Sequence, residues 1–238
     1  MTGPFLHTET DAGAATGLRN RLEPAAPGAR LAVPMRELWI ASNNQKKRLE
    51  LERLLGPLGI TLRLPHELGA PFAPIEDQPD FAGNAHQKAA LLAHLARGIA
   101  LADDSGLCVD ALGGEPGGRS ARYAGPEAVD ARNNALLLER LADVPDPQRT
   151  AHFVCAIVLA APDAVLFAGE GRCDGRIARR PAGRSGFGYD PLFLVPEYGR
   201  TFAELGPTVK NRISHRARAL AQLRDALERF LISGERQA

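Results

Sequence analysis

The sequence predicts an α/β fold around a mixed β-sheet, and three observations predict it. Segments with helical spacing alternate along the chain with short apolar or alternating strand-like segments. The strand-like run Arg149 to Ala160 is followed, across a turn at Pro162 and Asp163, by a second run from Val165 to Gly171. Such a hairpin is antiparallel, so the sheet cannot be purely parallel. Finally, 238 residues with 45% hydrophobic content suffice for one large domain, or for two lobes sharing a cleft.

Residues 1 to about 34 are rich in Ala, Gly and Pro and lack periodicity, so a disordered extension is expected there, with Met35 a candidate start. Glu37 to Ser42 reads as a buried strand. Asn43 to Leu55 reads as a helix, with Leu51, Leu54, Leu55 and Leu58 at i, i+3, i+4 and i+7. Ile60 to Leu64 alternates like a strand, and the proline-rich stretch Pro65 to Pro79 reads as a loop carrying Glu76 and Asp77. Phe81, Ala85, Ala89, Leu92 and Ala96 mark a second helix leading into a strand at Ile99 to Ala102. After a Gly-Pro loop at 113–118, Pro126 to Leu141 is helical, Arg184 to Asp190 is glycine-rich, and Pro191 to Val195 is strand-like. A long final helix is defined by Ile213, Ala217, Leu220, Leu227 and Leu231.

Composition excludes several classes of function. The 29 Lys plus Arg against 28 Asp plus Glu leave no excess of positive charge for a nucleic acid polymer, so any phosphate recognition must be local. The three cysteines, Cys108, Cys155 and Cys173, are far apart and form neither a disulfide framework nor a zinc motif. A reducing, cytoplasmic setting is expected from this. No run approaches the roughly 20 apolar residues that span a bilayer, so no membrane partner is expected.

Asp103 and Asp104 follow an apolar strand and precede Ser105-Gly106, a pattern that reads as a strand end. Side chains on consecutive extended residues point to opposite faces, so one carboxylate can hold a hard divalent cation while the other acts on water. Glu76 is a third carboxylate to set beside them. Ser42-Asn43-Asn44-Gln45-Lys46-Lys47 lies where a strand hands over to a helix, a place where amides and a lysine attract phosphate. Asn84 and Lys88, at i and i+4, share a helix face and offer a second cation. In Ser185-Gly-Phe187-Gly188-Tyr189-Asp190 the glycines let a flat ligand approach while Phe187 stacks on it and Asp190 accepts from its edge. Lys210, His215 and Arg216 add donors near the start of the last helix.

Together, Ser42-x-Asn44-x-x-Lys47, Phe81-x-x-Asn84-Ala-x-x-Lys88-Ala, Ala102-Asp-Asp-Ser-Gly-Leu107, Ser120-Ala-Arg-Tyr-Ala-Gly125, Gly186-Phe-Gly-Tyr-Asp-Pro191 and Lys210-x-x-Ile-Ser-His-Arg216 resemble the inosine/xanthosine triphosphate pyrophosphatase family. The match runs in order from about residue 37 to about 231. The resemblance implies one nucleotide pyrophosphatase domain over 35–238, two-lobed, with a long mixed β-sheet, helices on both sides and the active site in the cleft between lobes. It further implies a homodimer and Mg²⁺-dependent hydrolysis of non-standard purine nucleoside triphosphates (dITP, ITP, XTP) to the monophosphate and pyrophosphate.

By position, the family's roles fall as follows. Ser42 to Lys47, Lys88 and Ser105 would hold phosphates, Glu76, Asp103 and Asp104 would serve the metal, and Asp104 would be the base that activates water. Phe187 to Asp190, Lys210, His215 and Arg216 would hold and read the purine. Donors from His215 and Arg216 would favour the 6-oxo bases over adenine. Two positions depart from the family pattern: Gly83 replaces an acidic residue, and Asn43 replaces a more frequent Gly. Three rival readings are a Maf-type pyrophosphatase acting on other nucleotides, a nucleotide-binding module with weakened catalysis, and a phosphatase that removes only the terminal phosphate.

Overall fold

The structure is a computed structural model, and it describes residues 37–235. The expected N-terminal extension, the candidate start at Met35 and the side chain of Leu231 lie outside the described residues.

A seven-stranded mixed sheet forms the frame, in the order β2-β1-β3-β4-β5-β6-β7. Its strands are β1 (Glu37–Ile40), β2 (Thr61–Arg63), β3 (Ala100–Val109), β4 (Thr150–Ala161), β5 (Ala164–Ile177), β6 (Phe193–Val195) and β7 (Arg200–Thr201). β1 runs parallel to β2 and β3, and every pairing from β3 onward is antiparallel. The helices are α1 (Gln45–Leu55), α2 (Phe81–Ala96), α3 (Asp130–Arg140), α4 (Phe202–Ile213) and α5 (His215–Glu235). The α/β class with a mixed sheet is as the sequence predicts.

Alternation along β3 and β4 assigns the helices to both faces. On one face Ala100, Ala102, Ala156, Val158 and Ala160 pack against Ala85, Ala89, Leu92 and Ala93 of α2. Small side chains on both surfaces let that helix lie close to the sheet, and truncating Leu92 there would cost about 2–5 kcal/mol. On the other face Leu101, Cys155, Ile157 and Leu159 pack against Leu51 and Leu55 of α1 and Leu220, Leu223 and Leu227 of α5. A third cluster, at the opposite ends of β3, β4 and β5, joins Leu107, Val109, Phe153 and Ile177 to Leu137 of α3 and Phe202 of α4.

Four features differ from the sequence reading. First, Asp103 and Asp104 do not stand at a strand end. β3 continues through Ser105 and Gly106 to Val109, paired with β4 at every residue. Gly106 is a point of close approach rather than a turn: a Cβ there would lie 2.4 Å from the Gly117 carbonyl oxygen. Second, β5 extends to Ile177, beyond the expected Gly171, with Gly171, Cys173, Gly175 and Ile177 on its buried side. Gly171 and Gly175 are needed because a Cβ would meet the His215 carbonyl oxygen at 2.0 Å and the Phe193 ring at 2.5 Å. Third, α4 is a helix that the Gly206-Pro207 pair concealed; Gly206 takes φ 73° and breaks it internally. Ile213 therefore ends α4, and the final helix begins at His215, where the Ser214 hydroxyl accepts the Ala217 N–H at 3.2 Å. Fourth, α3 starts at Asp130 instead of Pro126, because Gly125 and Ala128 adopt positive φ just before it.

β1 pairs with β3 only at Ala100 and Leu101. Among the described residues no other strand takes that edge, and the Asp pair is met instead by side chains from α1 (Lys47), α2 (Lys88) and α5 (Arg216).

Candidate active site

β1 delivers the chain to α1 through Ser42 and Asn43. The Asn44 Oδ1 caps α1, accepting the N–H groups of Lys46 (3.0 Å) and Lys47 (3.2 Å), while the Ser42 hydroxyl accepts the Asn44 N–H (3.2 Å). The Asn44, Lys46 and Lys47 amides thus already have partners, and the cap's effect is to aim Lys47. Its Nζ lies 3.3 Å from Asp103 Oδ2.

The two aspartates project to opposite faces of β3, as consecutive strand residues must. Asp103 is 2% exposed, on the α1 and α5 side. Everything around it crowds one oxygen: Oδ2 accepts from Arg216 Nη2 (2.8 Å) and Nε (3.2 Å) and stands beside Lys47, whereas Oδ1 is buried with no hydrogen-bond partner. Burial opposes ionisation of this carboxyl, yet Lys47, Arg216 and Lys88 outweigh it and hold Asp103 far below the usual carboxylate range. Burial and the adjacent Asp103 carboxylate push the neighbouring Cys155 thiol up to about 12, so it stays protonated.

Asp104 faces α2 and is less enclosed. Its Oδ1 accepts from Lys88 Nζ at 3.1 Å and its Oδ2 from the Asn84 amide at 3.2 Å. The same ammonium reaches Glu76 Oε1 at 3.0 Å, so Glu76 and Asp104 flank one cation. For Glu76 the upward pull of burial is overcome by Lys88, Lys47 and Arg122, and its carboxyl is lowered. Burial acts to lower the Lys88 pKa, but Asp104, Asp103 and Glu76 raise it.

Beside these carboxylates opens a pocket of about 320 Å³, lined by Lys47, Ser105, Phe187, Lys210, His215 and Arg216 among others. Lys210 Nζ lies 4.4 Å above the Phe187 ring and donates to Asp190 Oδ2 (2.6 Å) and Glu50 Oε1 (3.1 Å). Arg216 donates to Glu50, to Asp103 and to the Ser105 hydroxyl (3.0 Å). An unbroken chain of charges, all buried except the partly buried Glu50, therefore runs Asp103, Arg216, Glu50, Lys210, Asp190. His215 stacks on Phe153 with ring centroids 4.7 Å apart. Burial first, then Arg216 and Lys210, depress its pKa well below the ordinary histidine value, so the imidazole is neutral.

The structure gathers Asn44, Gln45, Lys46, Lys47, Ser105, Phe187, Gly188, Tyr189, Asp190, Lys210, His215 and Arg216 around this pocket. Glu76, Lys88 and Asp104 form an adjoining group, and Asp103 ties the two together through Lys47 and Arg216. Ser42 and Asn43 stand behind the α1 cap and do not line the pocket. Asp190 Oδ2 accepts the Phe187 N–H (2.9 Å) as well as Lys210, and the Tyr189 hydroxyl donates to the Ser120 carbonyl (2.9 Å), so both residues shape the loop. The sequence reading missed Glu50, Asp130 and Phe153. Glu50 was detectable: it lies three residues after Lys47 and so shares its helix face. Phe153 carried no such signal, because only the packing of α5 on β4 brings His215 to it.

A family model described as the Ham1 family matches residues 38–226. The chain belongs to the Ham1 family. Its relatives include a protein of Desulforamulus reducens named dITP/XTP pyrophosphatase, 47% identical over 199 residues that cover 84% of this chain and 99% of that protein. A second, from Geobacillus kaustophilus and also named dITP/XTP pyrophosphatase, is 47% identical over 83% of this chain and 97% of its own length. Among solved structures, a HAM1 protein from Coxiella burnetii superposes with a TM-score of 0.75 at 42% identity, covering 82% of this chain and all of that one. The resemblance read from the ordered motifs is borne out. Among the described residues, no helix is long and apolar enough to cross a membrane.

Proposed function

We propose that this chain is a hydrolase of phosphoanhydride bonds that converts dITP, ITP and XTP to the monophosphate and pyrophosphate, removing non-standard purines before they are built into DNA or RNA. Its relatives' names support the substrate class. The observation that carries the chemistry is the asymmetry of Asp103: one oxygen is saturated by cations while the other is buried and unpartnered. A carboxylate oxygen without a partner in so enclosed a place suits a hard cation.

The donor set fits Mg²⁺, which keeps several waters and takes one or two carboxylates plus substrate phosphates. Asp103 and Glu76 would hold it, with Asp104 the further carboxylate in reach. When bound, the ion supplies charge neutralisation for the triphosphate.

The residues of the chain do the rest. Lys47 and Lys88 face the phosphates, with Ser105 beside them, and neutralise charge on the departing pyrophosphate. Asp104 takes a proton from the water that attacks the α-phosphorus; the bond to the bridging oxygen breaks and pyrophosphate leaves. Both Asp104 oxygens keep a lone pair beyond their bonds to Lys88 and Asn84, which hold the carboxylate in place. Phe187 stacks on the purine. His215, held neutral, and Lys210 lie where the base edge would be, and an N–H aimed at a 6-oxo group leaves an adenine amine unmatched. Arg216 spends its nitrogens on Glu50, Asp103 and Ser105, so its part is to fix Asp103. Residues 35–238 would act as one two-lobed cytoplasmic domain, in a homodimer.

At Gly83 a Cβ would lie 2.8 Å from Gln78 Cβ, so that position faces the preceding loop. A substrate panel tests the proposal. A strong preference for dITP and XTP over dATP, dTTP, UTP and CTP is expected; equal or greater turnover of the pyrimidine triphosphates would support the Maf-type reading instead.

A further inference from the structure

Gly188 is gripped at both of its backbone polar groups by one helix. Its N–H donates to Asp130 Oδ2 at 2.9 Å, and its carbonyl accepts from the Asn134 amide at 3.0 Å. Asp130 and Asn134 are four residues apart on α3 and so share a face, and they treat Gly188 much as a neighbouring strand would. The same Asp130 oxygen also accepts Lys46 Nζ at 2.8 Å, which ties α3 to α1 across the pocket. Lys46 in turn lies 5.6 Å from the Phe187 ring centroid.

Two further details show that this placement is built in. Gly188 has φ 60° with open space around the Cβ position, so glycine is needed there for its backbone angles and the clamp for holding them. Ala128, two residues before Asp130, takes φ 52°, a strained conformation for a non-glycine residue that turns the chain into α3 beside the pocket.

We propose that Asp130 and Asn134 are positioning residues for base recognition: from α3 they hold the Phe187–Gly188 segment and Lys46 in the arrangement that receives the purine. This rests on the reading of that segment as the base-stacking site. Neither residue contacts Lys47, Lys88 or Ser105, and Lys46, which the sequence grouped with the phosphate ligands, is held here by Asp130 beside the Phe187 ring, so the effect of removing them falls on the base end of the substrate. Asp130→Asn keeps an acceptor for the Gly188 N–H but loses the charge that holds Lys46, whereas Asp130→Ala loses both.

The test measures dIMP and tripolyphosphate as inhibitors of dITP hydrolysis, one reporting the base end and the other the phosphate end. In Asp130→Ala the inhibition constant of dIMP and the KM for dITP should rise about tenfold, with tripolyphosphate inhibition and kcat changed less than threefold. Asp130→Asn should recover part of the loss. Asn134→Ala, which breaks the other half of the clamp, should repeat the pattern and keeps the test open if Asp130→Ala fails to fold. Unchanged dIMP inhibition in a folded variant, or equal losses for dIMP and tripolyphosphate, would overturn the inference while leaving the proposed function standing. A wild-type protein that does not hydrolyse dITP at all would overturn both.

Discussion

Asp103 and Asp104 are adjacent in the chain and sit in opposite environments. Asp103 is sealed under α1 and α5 and is one end of a largely buried ion chain that reaches, through Arg216, Glu50 and Lys210, to Asp190 beneath the Phe187 loop. Asp104 belongs to a smaller, more open group with Lys88, Asn84 and Glu76. The difference comes from the pleat of β3, which sends consecutive side chains to the two faces, and from β1, which pairs with β3 only at Ala100 and Leu101 and so leaves the pair to side chains of the helices. It teaches that one carboxylate is tied into the frame by Arg216 and Lys47, whereas the other is held by the smaller, less enclosed group of Lys88 and Asn84.

The sharpest way to break this comparison is to neutralise each aspartate in turn. Asp104→Asn should lower kcat by at least about 100-fold, the usual worth of a general base, with little change in thermal stability; near wild-type turnover would remove Asp104 from the chemistry. Asp103→Ala should also abolish activity, and in addition destabilise the fold by about 3 kcal/mol, because Arg216 and Lys47 are left around an uncompensated buried site. Calorimetry should show this as a fall in Tm of about 6–12 °C. Equal Tm values for the two variants would erase the distinction drawn between frame and site.

The far end of the ion chain gives a smaller effect. Phe187→Ala should raise KM for dITP by about 1–3 kcal/mol equivalent while kcat stays close to wild type, since stacking binds the base in ground and transition states alike. An unchanged KM would detach the loop from base binding.

The smallest effect is in the pH dependence of stability. Asp103 is held below its unfolded value, so the stability it contributes is complete above about pH 4 and is lost as pH falls through the folded value. The Tm gap between wild type and Asp103→Asn should therefore be widest near neutrality and shrink below about pH 4. A constant gap from pH 7 to pH 3 would contradict the assigned ionisation.

Much of this was legible in the residues. The α1 start was read to within two residues, at Asn43 rather than Gln45, because Asn44 caps the helix through its own side chain, a local event. The strands β1 and β4 were visible through their apolar runs, and the ordered motifs named nearly every residue that lines the pocket. What escaped notice was set by tertiary packing. Ser105-Gly106 looks like a turn, but Gly106 is small because Gly117 and Ser120 press on it in mid-strand. The second half of β5 hid its alternation because two inward positions are glycines under α5 and Phe193. The interior break at Gly206 made a helix look like a loop. The aspartate pair itself was singled out for its residue types and misplaced in its geometry, and the contrast between its two members became visible only when the partners of each oxygen were seen.

The most direct measurement is product identity. Purified protein is incubated with dITP and Mg²⁺, and the nucleotide and phosphate products are separated. Attack at the α-phosphorus yields dIMP and pyrophosphate in equal amounts, with no dIDP at any time point. Release of orthophosphate with accumulation of dIDP would place the attack at the terminal phosphate and contradict the assignment of this site.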